Sequence, residues 1–242
     1  MRAMQAVTMQ FHCIEWHNSF GIKRKKMEKS YIPALKYQSL TRFYDWLIAT
    51  FLVETRWKDF LIDSFATKRP QALLDIGTGT GTLALMISKR FPVASIEGLD
   101  GDRHILSIAS IKIKQAGAIN IHLVEGLSFK LPYPDGSFDV VTSSLMLHHL
   151  SDNDKHRTMK EVYRVLKPTG VFAIADWGKP SNRLVRFLFY GVQLLDGFKT
   201  TRGNVKGLLP SYLSSNGFVN VSEEKRFATV LGSISIYQGV KP

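Results

Sequence analysis

Three glycines spaced two apart, Gly77, Gly79 and Gly81, follow an apolar run and an acid in LLDIGTGTGTLAL (73–85), and a helical pattern begins at once. Glycine at a strand-to-helix junction lets the backbone turn sharply and approach a guest, which the amides of the helix start then face. A nucleotide-like ligand suits that geometry. A dinucleotide fingerprint, G-x-G-x-x-G, places its third glycine one residue later and uses the helix terminus to hold a pyrophosphate. Here the third glycine comes early, Thr82 stands in its place, and Asp75 precedes the first glycine by two residues. A carboxylate there repels a pyrophosphate but attracts an ammonium or a sulfonium. The next apolar run ends in GLDGD and supplies Asp100, at about the distance of ~20 residues from the glycines at which an acid meets ribose hydroxyls in such sheets. Asp102 reads instead as the N-cap of the helix that follows.

A second set of reactive groups lies further along. His148 and His149 follow SFDVVTSSLML, at the carboxyl end of a strand, where open α/β sheets hold their ligands. A histidine that titrates near neutrality can take a proton from an acceptor, so these two are the candidate catalytic residues; capping of the next turn is their other reading. Asp176 and Trp177, at the mouth of the next strand, are placed in the acceptor pocket together with Tyr44 and Tyr190. The aromatic content of that neighbourhood suits a hydrophobic or aromatic acceptor, although aromatic residues at helical spacing also serve as plain core. Cys13 is the only cysteine, so neither a disulfide framework nor a cysteine-rich zinc cluster fits one chain, and no metal site is expected.

The elements that must position these groups alternate. Runs at 71–76, 94–100, 120–126, 137–144 and 170–176 read as strands, and 82–91, 103–116 and 154–166 read as the helices between them, the last closed by Lys167 and Pro168. Such alternation gives a parallel sheet with helices on both faces. Residues 178–206 interrupt the rhythm with an apolar helix over 184–195 and a polar turn over 196–204, and after them come a helix near 208–216 and strands at 219–227 and 229–239. Two strands joined so closely should pair antiparallel. The expected fold is therefore α/β and Rossmann-like, with a mostly parallel seven-stranded sheet whose last strand runs antiparallel. The chain divides into a basic leader (1–30) and one domain (31–242), made of N-terminal cap helices (31–68), a cofactor-binding core (69–177), an insert capping the acceptor (178–207) and a C-terminal helix with two strands (208–242).

Composition excludes several classes. With 45% hydrophobic and 21% charged residues the chain is globular, and no apolar run approaches the ~20 residues of a membrane span. The first 26 residues lack the apolar centre of a secretory signal, which with the single cysteine points to the cytoplasm. The net charge of +12 is concentrated in part at Lys23, Arg24, Lys25, Lys26 and Lys29, a solvated leader that leaves room for contact with an anionic membrane surface. Nucleic acid is not an expected partner: no RNA-binding pattern of interleaved arginines and aromatics accompanies that charge.

The motif D-x-G-x-G-x-G at Asp75, Gly77, Gly79 and Gly81 resembles the first motif of the class I S-adenosylmethionine-dependent methyltransferases. LSFKLPYPDGSFDVVTSSLMLHHLSD (127–152), EVYRVLKPTGVFAIAD (161–176), FYDWL (43–47) and RWKDF (56–60) are similar to the branch of that class that includes the ubiquinone and menaquinone C-methyltransferases. The resemblance implies S-adenosylmethionine as cofactor and a pocket formed by Asp75, Gly77, Thr78, Gly79, Gly81, Asp100, Gly126, Leu127, Ser128 and Ser143. Related proteins carry an aspartate where Leu127 stands, which leaves the adenine to apolar packing, to Ser128 or to a backbone carbonyl. It also implies methylation of carbon, oxygen or sulfur on a small hydrophobic or aromatic molecule. The competing functions are an RNA methyltransferase and a catalytically silent cofactor-binding scaffold.

Overall fold

The structure, a computed structural model, describes residues 54–242 apart from 181, 230 and 231. The basic leader and Tyr44 lie outside the described residues. Seven strands form one sheet: β1 (Ala72–Ile76), β2 (Ser95–Asp100), β3 (Ile121–Glu125), β4 (Phe138–Ser144), β5 (Leu166–Trp177), β6 (Val219–Ala228) and β7 (Ser233–Val240), in the order β3-β2-β1-β4-β5-β7-β6. Strands β1 to β5 pair parallel to their neighbours, and β7 lies antiparallel between β5 and β6. Seven helices are described: α1 (Glu54–Phe65), α2 (Thr82–Arg90), α3 (Arg103–Gln115), α4 (Asp152–Val165), α5 (Arg183–Asp196), α6 (Phe198–Val205) and α7 (Leu209–Ser215).

Two apolar layers hold the sheet, because alternate residues of a strand point to opposite faces. Leu73, Val140, Ala173 and Ile236 join one layer with Trp57 and Leu61 of α1, Leu83 and Ile87 of α2 and Phe189 of α5. Their neighbours Leu74, Val141, Phe172 and Tyr237 join the other, with Met159 and Val162 of α4 and Leu213 of α7. Complete burial of each large side chain contributes roughly 1.5–3 kcal/mol, so the central strands are fixed from both sides. The carboxyl ends of β1, β2, β4 and β5 are thereby brought to one edge.

Two expectations need correction. Strand β5 begins at Leu166, directly after α4, and not at residue 170. Leu166 pairs with Phe138 and the register then jumps to Val171 opposite Val140, so 167–170 form a bulge, with Thr169 at φ 61°. The stretch expected to be a polar turn is helix α6. Its buried face is polar, with Thr201 and Asn204 fully enclosed, and the hydrophobic periodicity that reveals an ordinary amphipathic helix is therefore missing.

Candidate functional site

The glycine turn is built from the strand outwards. Gly77 and Thr78 donate their amides to the Leu99 carbonyl at 2.7 and 3.1 Å, which fastens the turn after β1 to the end of β2. Gly77 has φ 69°, and a Cβ on it would lie 2.4 Å from Met146 Cγ; the turn and the loop after β4 meet there with no room for a side chain. Gly81 has φ 76° and stands at the N-cap of α2. At Gly79 a Cβ would meet nothing within 4 Å, so the middle of the turn faces open space.

Asp75 and Asp100 both serve this turn, in different ways. Asp75 is fully buried, and its two carboxylate oxygens accept from the Thr78 and Thr142 hydroxyls at 2.8 Å each. It lies beneath the turn and anchors it, so its charge reaches a guest through the turn. Burial raises its pKa to about 6, against the opposing hydrogen bonds of Thr142 and Thr78. Asp100 accepts from the Gly79 amide at 2.9 Å and the Asp102 amide at 3.0 Å, which places its carboxylate at the open middle of the turn; burial raises its pKa as well. Asp102 caps α3 as expected, accepting from the His104 and Ile105 amides.

At the end of β3, Gly126 donates to the Asp100 carbonyl at 2.9 Å, and Leu127 pairs with Lys130 in a short bridge. The Ser128 hydroxyl is buried and shared with Thr158 of α4 at 3.0 Å. Ser143, fully buried on β4 next to Ile76, has a hydroxyl without a partner among the described residues. A buried polar atom left open at the strand ends is a position that a bound polar group can satisfy.

The histidines meet a different environment. His148 is 1% exposed, and its Nδ1 lies 2.7 Å from Asp176 Oδ1. A carboxylate only accepts, so Nδ1 carries the proton and, in the neutral ring, Nε2 is the bare nitrogen. Nε2 has no hydrogen-bond partner and lies 3.5 Å from Asp196 Oδ2, at the last residue of α5. Burial alone lowers the His148 pKa, but the charge and hydrogen bond of Asp176, with the Asp196 charge, outweigh it and hold the ring above its usual value. His149 packs at a tilt against the His148 ring, 4.0 Å between centroids, with its pKa pressed well below the usual value by burial and then by His148. Its Nδ1 is 3.9 Å from Asp196 Oδ1.

Asp176 is the hub of this group. It also accepts from the Trp177 amide at 2.7 Å and from Asn204 Nδ2 at 3.2 Å, and it is fully buried. Asp176 therefore holds His148 and α6 in place, which differs from the expected lining of an acceptor pocket. Trp177 packs against His148 and Phe189, whereas Tyr190 is 44% exposed on the other side of α5, against Arg186 and Phe198. Sequence reasoning missed Asp196 and Asn204, which sat in the presumed turn, and Lys155, fully buried and donating to the Leu150 and Thr200 carbonyls. Thr142 carried a usable signal, since a hydroxyl inside an apolar strand needs a buried partner.

Sheet order, reversed β7 and the acid-led glycine turn define the fold of a class I methyltransferase. The description "ubiE/COQ5 methyltransferase family" matches residues 25–195, and the chain belongs to that family. A demethylmenaquinone methyltransferase of Thermus thermophilus is 35% identical over 147 residues, covering 61% of this chain and 63% of that protein. The ubiquinone/menaquinone biosynthesis C-methyltransferase of Escherichia coli is 31% identical over 159 residues, 64% of this chain and 62% of that one. The chain thus spans less than two thirds of the length of these relatives. Human N-acetylserotonin methyltransferase, solved in complex with S-adenosylmethionine, superposes with a TM-score of 0.57 at 20% identity over 76% of this chain and 51% of that one, a likeness of fold. The expected fold and family are borne out, and with them S-adenosylmethionine as the cofactor. The open space at Gly79, the Asp100 carboxylate beside it and the unpartnered Ser143 hydroxyl fit that group.

Proposed function

We propose that this protein transfers a methyl group from S-adenosylmethionine to a carbon of a small aromatic acceptor of the quinone type. The observation that carries the reading is the Asp100 carboxylate, fixed by the Gly79 and Asp102 amides at the open middle of a glycine turn. An acid held there suits the two ribose hydroxyls of a nucleoside. The names of the two relatives above supply the acceptor class.

Bound at the turn, S-adenosylmethionine supplies a methyl carbon on a sulfonium that becomes neutral as the group leaves. What the chain must add is alignment and exclusion of water. The turn is anchored by Asp75 from below, and Met146 closes against Gly77 from the β4 side. We assign the cofactor to Asp75, Gly77, Thr78, Gly79, Gly81, Asp100, Gly126, Leu127, Ser128 and Ser143, with Asp75 acting through the turn. His148 and His149 are the groups positioned to receive the acceptor's proton, with Asp176 orienting the first of them. Trp177, packed against His148, belongs to the acceptor side of this proposal.

Methylation of RNA and a silent scaffold are not favoured, since the family is one of methyltransferases and the two relatives act on quinones by name. No helix among the described residues is long and apolar enough to cross a membrane. The reading places the protein in the cytoplasm, with its basic 23–29 segment facing an anionic membrane surface. Calorimetry with S-adenosylhomocysteine should show one site per chain, weakened at least tenfold in Asp100→Ala. Labelled S-adenosylmethionine with a demethylated quinol should then yield a labelled C-methyl product. Binding of NADH in place of S-adenosylhomocysteine, or cofactor binding with no label passed to any quinol, would overturn the proposal.

A further inference from the structure

We infer that His148, His149 and Asp196 form a site for one divalent cation of the zinc type. The ligand atoms they offer all lie within 4.8 Å of one another, with His148 Nε2 to Asp196 Oδ2 at 3.5 Å and His149 Nδ1 to Asp196 Oδ1 at 3.9 Å. Around a tetrahedral ion with bonds of about 2.1 Å, neighbouring ligand atoms are separated by about 3.4 Å. The separations run up to 4.8 Å, so a shift of about an ångström in the two less buried side chains, His149 and Asp196, closes the site. Two imidazoles and one carboxylate, with a further position open, are the donor set of a borderline divalent ion.

A second, independent observation points to a ligand. His148 Nε2 is an unpartnered nitrogen on a ring that is 1% exposed, aimed at Asp196, while the opposite nitrogen donates to Asp176 at 2.7 Å. A carboxylate that fixes the tautomer of a histidine and leaves its other nitrogen bare is the usual support of a metal-bound imidazole. The charges agree. Asp176 and Asp196 bring two negative charges to the pair of rings, and the buried Lys155, which faces Asp176 as well as Asp152 at 3.7 Å, offsets only one of them, so the cluster keeps a net negative charge that a divalent ion can take up. Adjacent histidines with an aspartate 47 residues downstream form no recognisable spacing, and the expectation of no metal rested on the single cysteine alone.

With the ion bound, both rings are ligands and no longer free to take a proton, and the ion assumes that part: an acceptor oxygen in the open position would lose its proton more easily than in water. That consequence rests on the proposed function; the site itself does not. The test uses the full chain, stripped with a chelator and titrated with cobalt(II) chloride while its visible d–d bands are followed, and with zinc(II) by calorimetry. One equivalent should bind, with the band intensity of a tetrahedral ion. Asp196→Asn and His149→Gln should each weaken binding at least tenfold, Asp176→Asn by about 10–100-fold, and Cys13→Ser not at all. Both histidine-site variants are partly exposed replacements, and retained S-adenosylhomocysteine binding shows that they fold. Absence of saturable binding, or equal binding in Asp196→Asn and His149→Gln, would overturn the inference and leave the methyltransferase reading standing. Loss of S-adenosylhomocysteine binding by the unmutated chain would do the reverse.

Discussion

The two halves of the site are built on different plans. Around the glycine turn, most hydrogen bonds join residues within one βα unit and the next, Asp75 to Thr78, Gly79 to Asp100 and Asp100 to Asp102, while Thr142 and Met146 reach in from β4 and the loop after it. Backbone amides do most of the holding. Around the histidines, by contrast, Asp176 gathers His148 from one loop and Asn204 from α6, and Asp196 arrives from the end of α5. Side chains hold this half across long stretches of sequence. The first plan binds a cofactor of fixed shape; the second can change with the acceptor while the first stays intact.

The comparison can be broken most forcefully at Gly77. Alanine there must adopt φ 69°, at about 1–2 kcal/mol, and must push Met146 aside, at about 1–3 kcal/mol more. Gly77→Ala should abolish measurable S-adenosylhomocysteine binding in calorimetry and lower the urea midpoint. Unchanged affinity would show that the turn and the β4 loop are not tightly joined.

Asp75 gives the next largest effect, and its sign is set by burial. Its folded pKa of about 6 lies above the ~3.9 of an unfolded aspartate. The folded chain thus holds the proton more tightly, and the stabilisation this gives is complete below about pH 4 and disappears as pH rises through about 6. The difference is of order 3 kcal/mol. Asp75→Asn should remove that pH dependence, so that the unfolding free energies of the two proteins, equal to a first approximation in acid, diverge in favour of the variant by pH 7. Parallel pH profiles would show that Asp75 is not desolvated in the folded protein.

A smaller change sharpens the contrast from the other side. Asn204 is fully buried and donates to Asp176 and to the Trp177 carbonyl at 3.2 and 3.0 Å. Asn204→Ala leaves these acceptors short of a donor and should cost about 1–3 kcal/mol, with S-adenosylhomocysteine affinity unchanged in calorimetry. A tenfold loss of cofactor affinity would mean that the two halves are coupled.

The amino-acid sequence by itself determined the sheet and the turn, because both depend on local signals. Apolar runs mark buried strands, glycines mark positive φ, and an acid two residues ahead of them is visible as a letter; Asp75, Gly77, Gly81, Asp100 and the Asp102 cap all fell where that reading put them relative to the strands. Bulge 167–170 and helix α6 escaped it, the one because register depends on the partner strand, the other because its inner face is polar. Only the tertiary structure decided that Asp75 lies beneath the turn, that Asp176 anchors His148, and that Asp196 faces both histidines. Those contacts join residues dozens of positions apart through hydrogen bonds and charge, and neither leaves a periodicity along the chain.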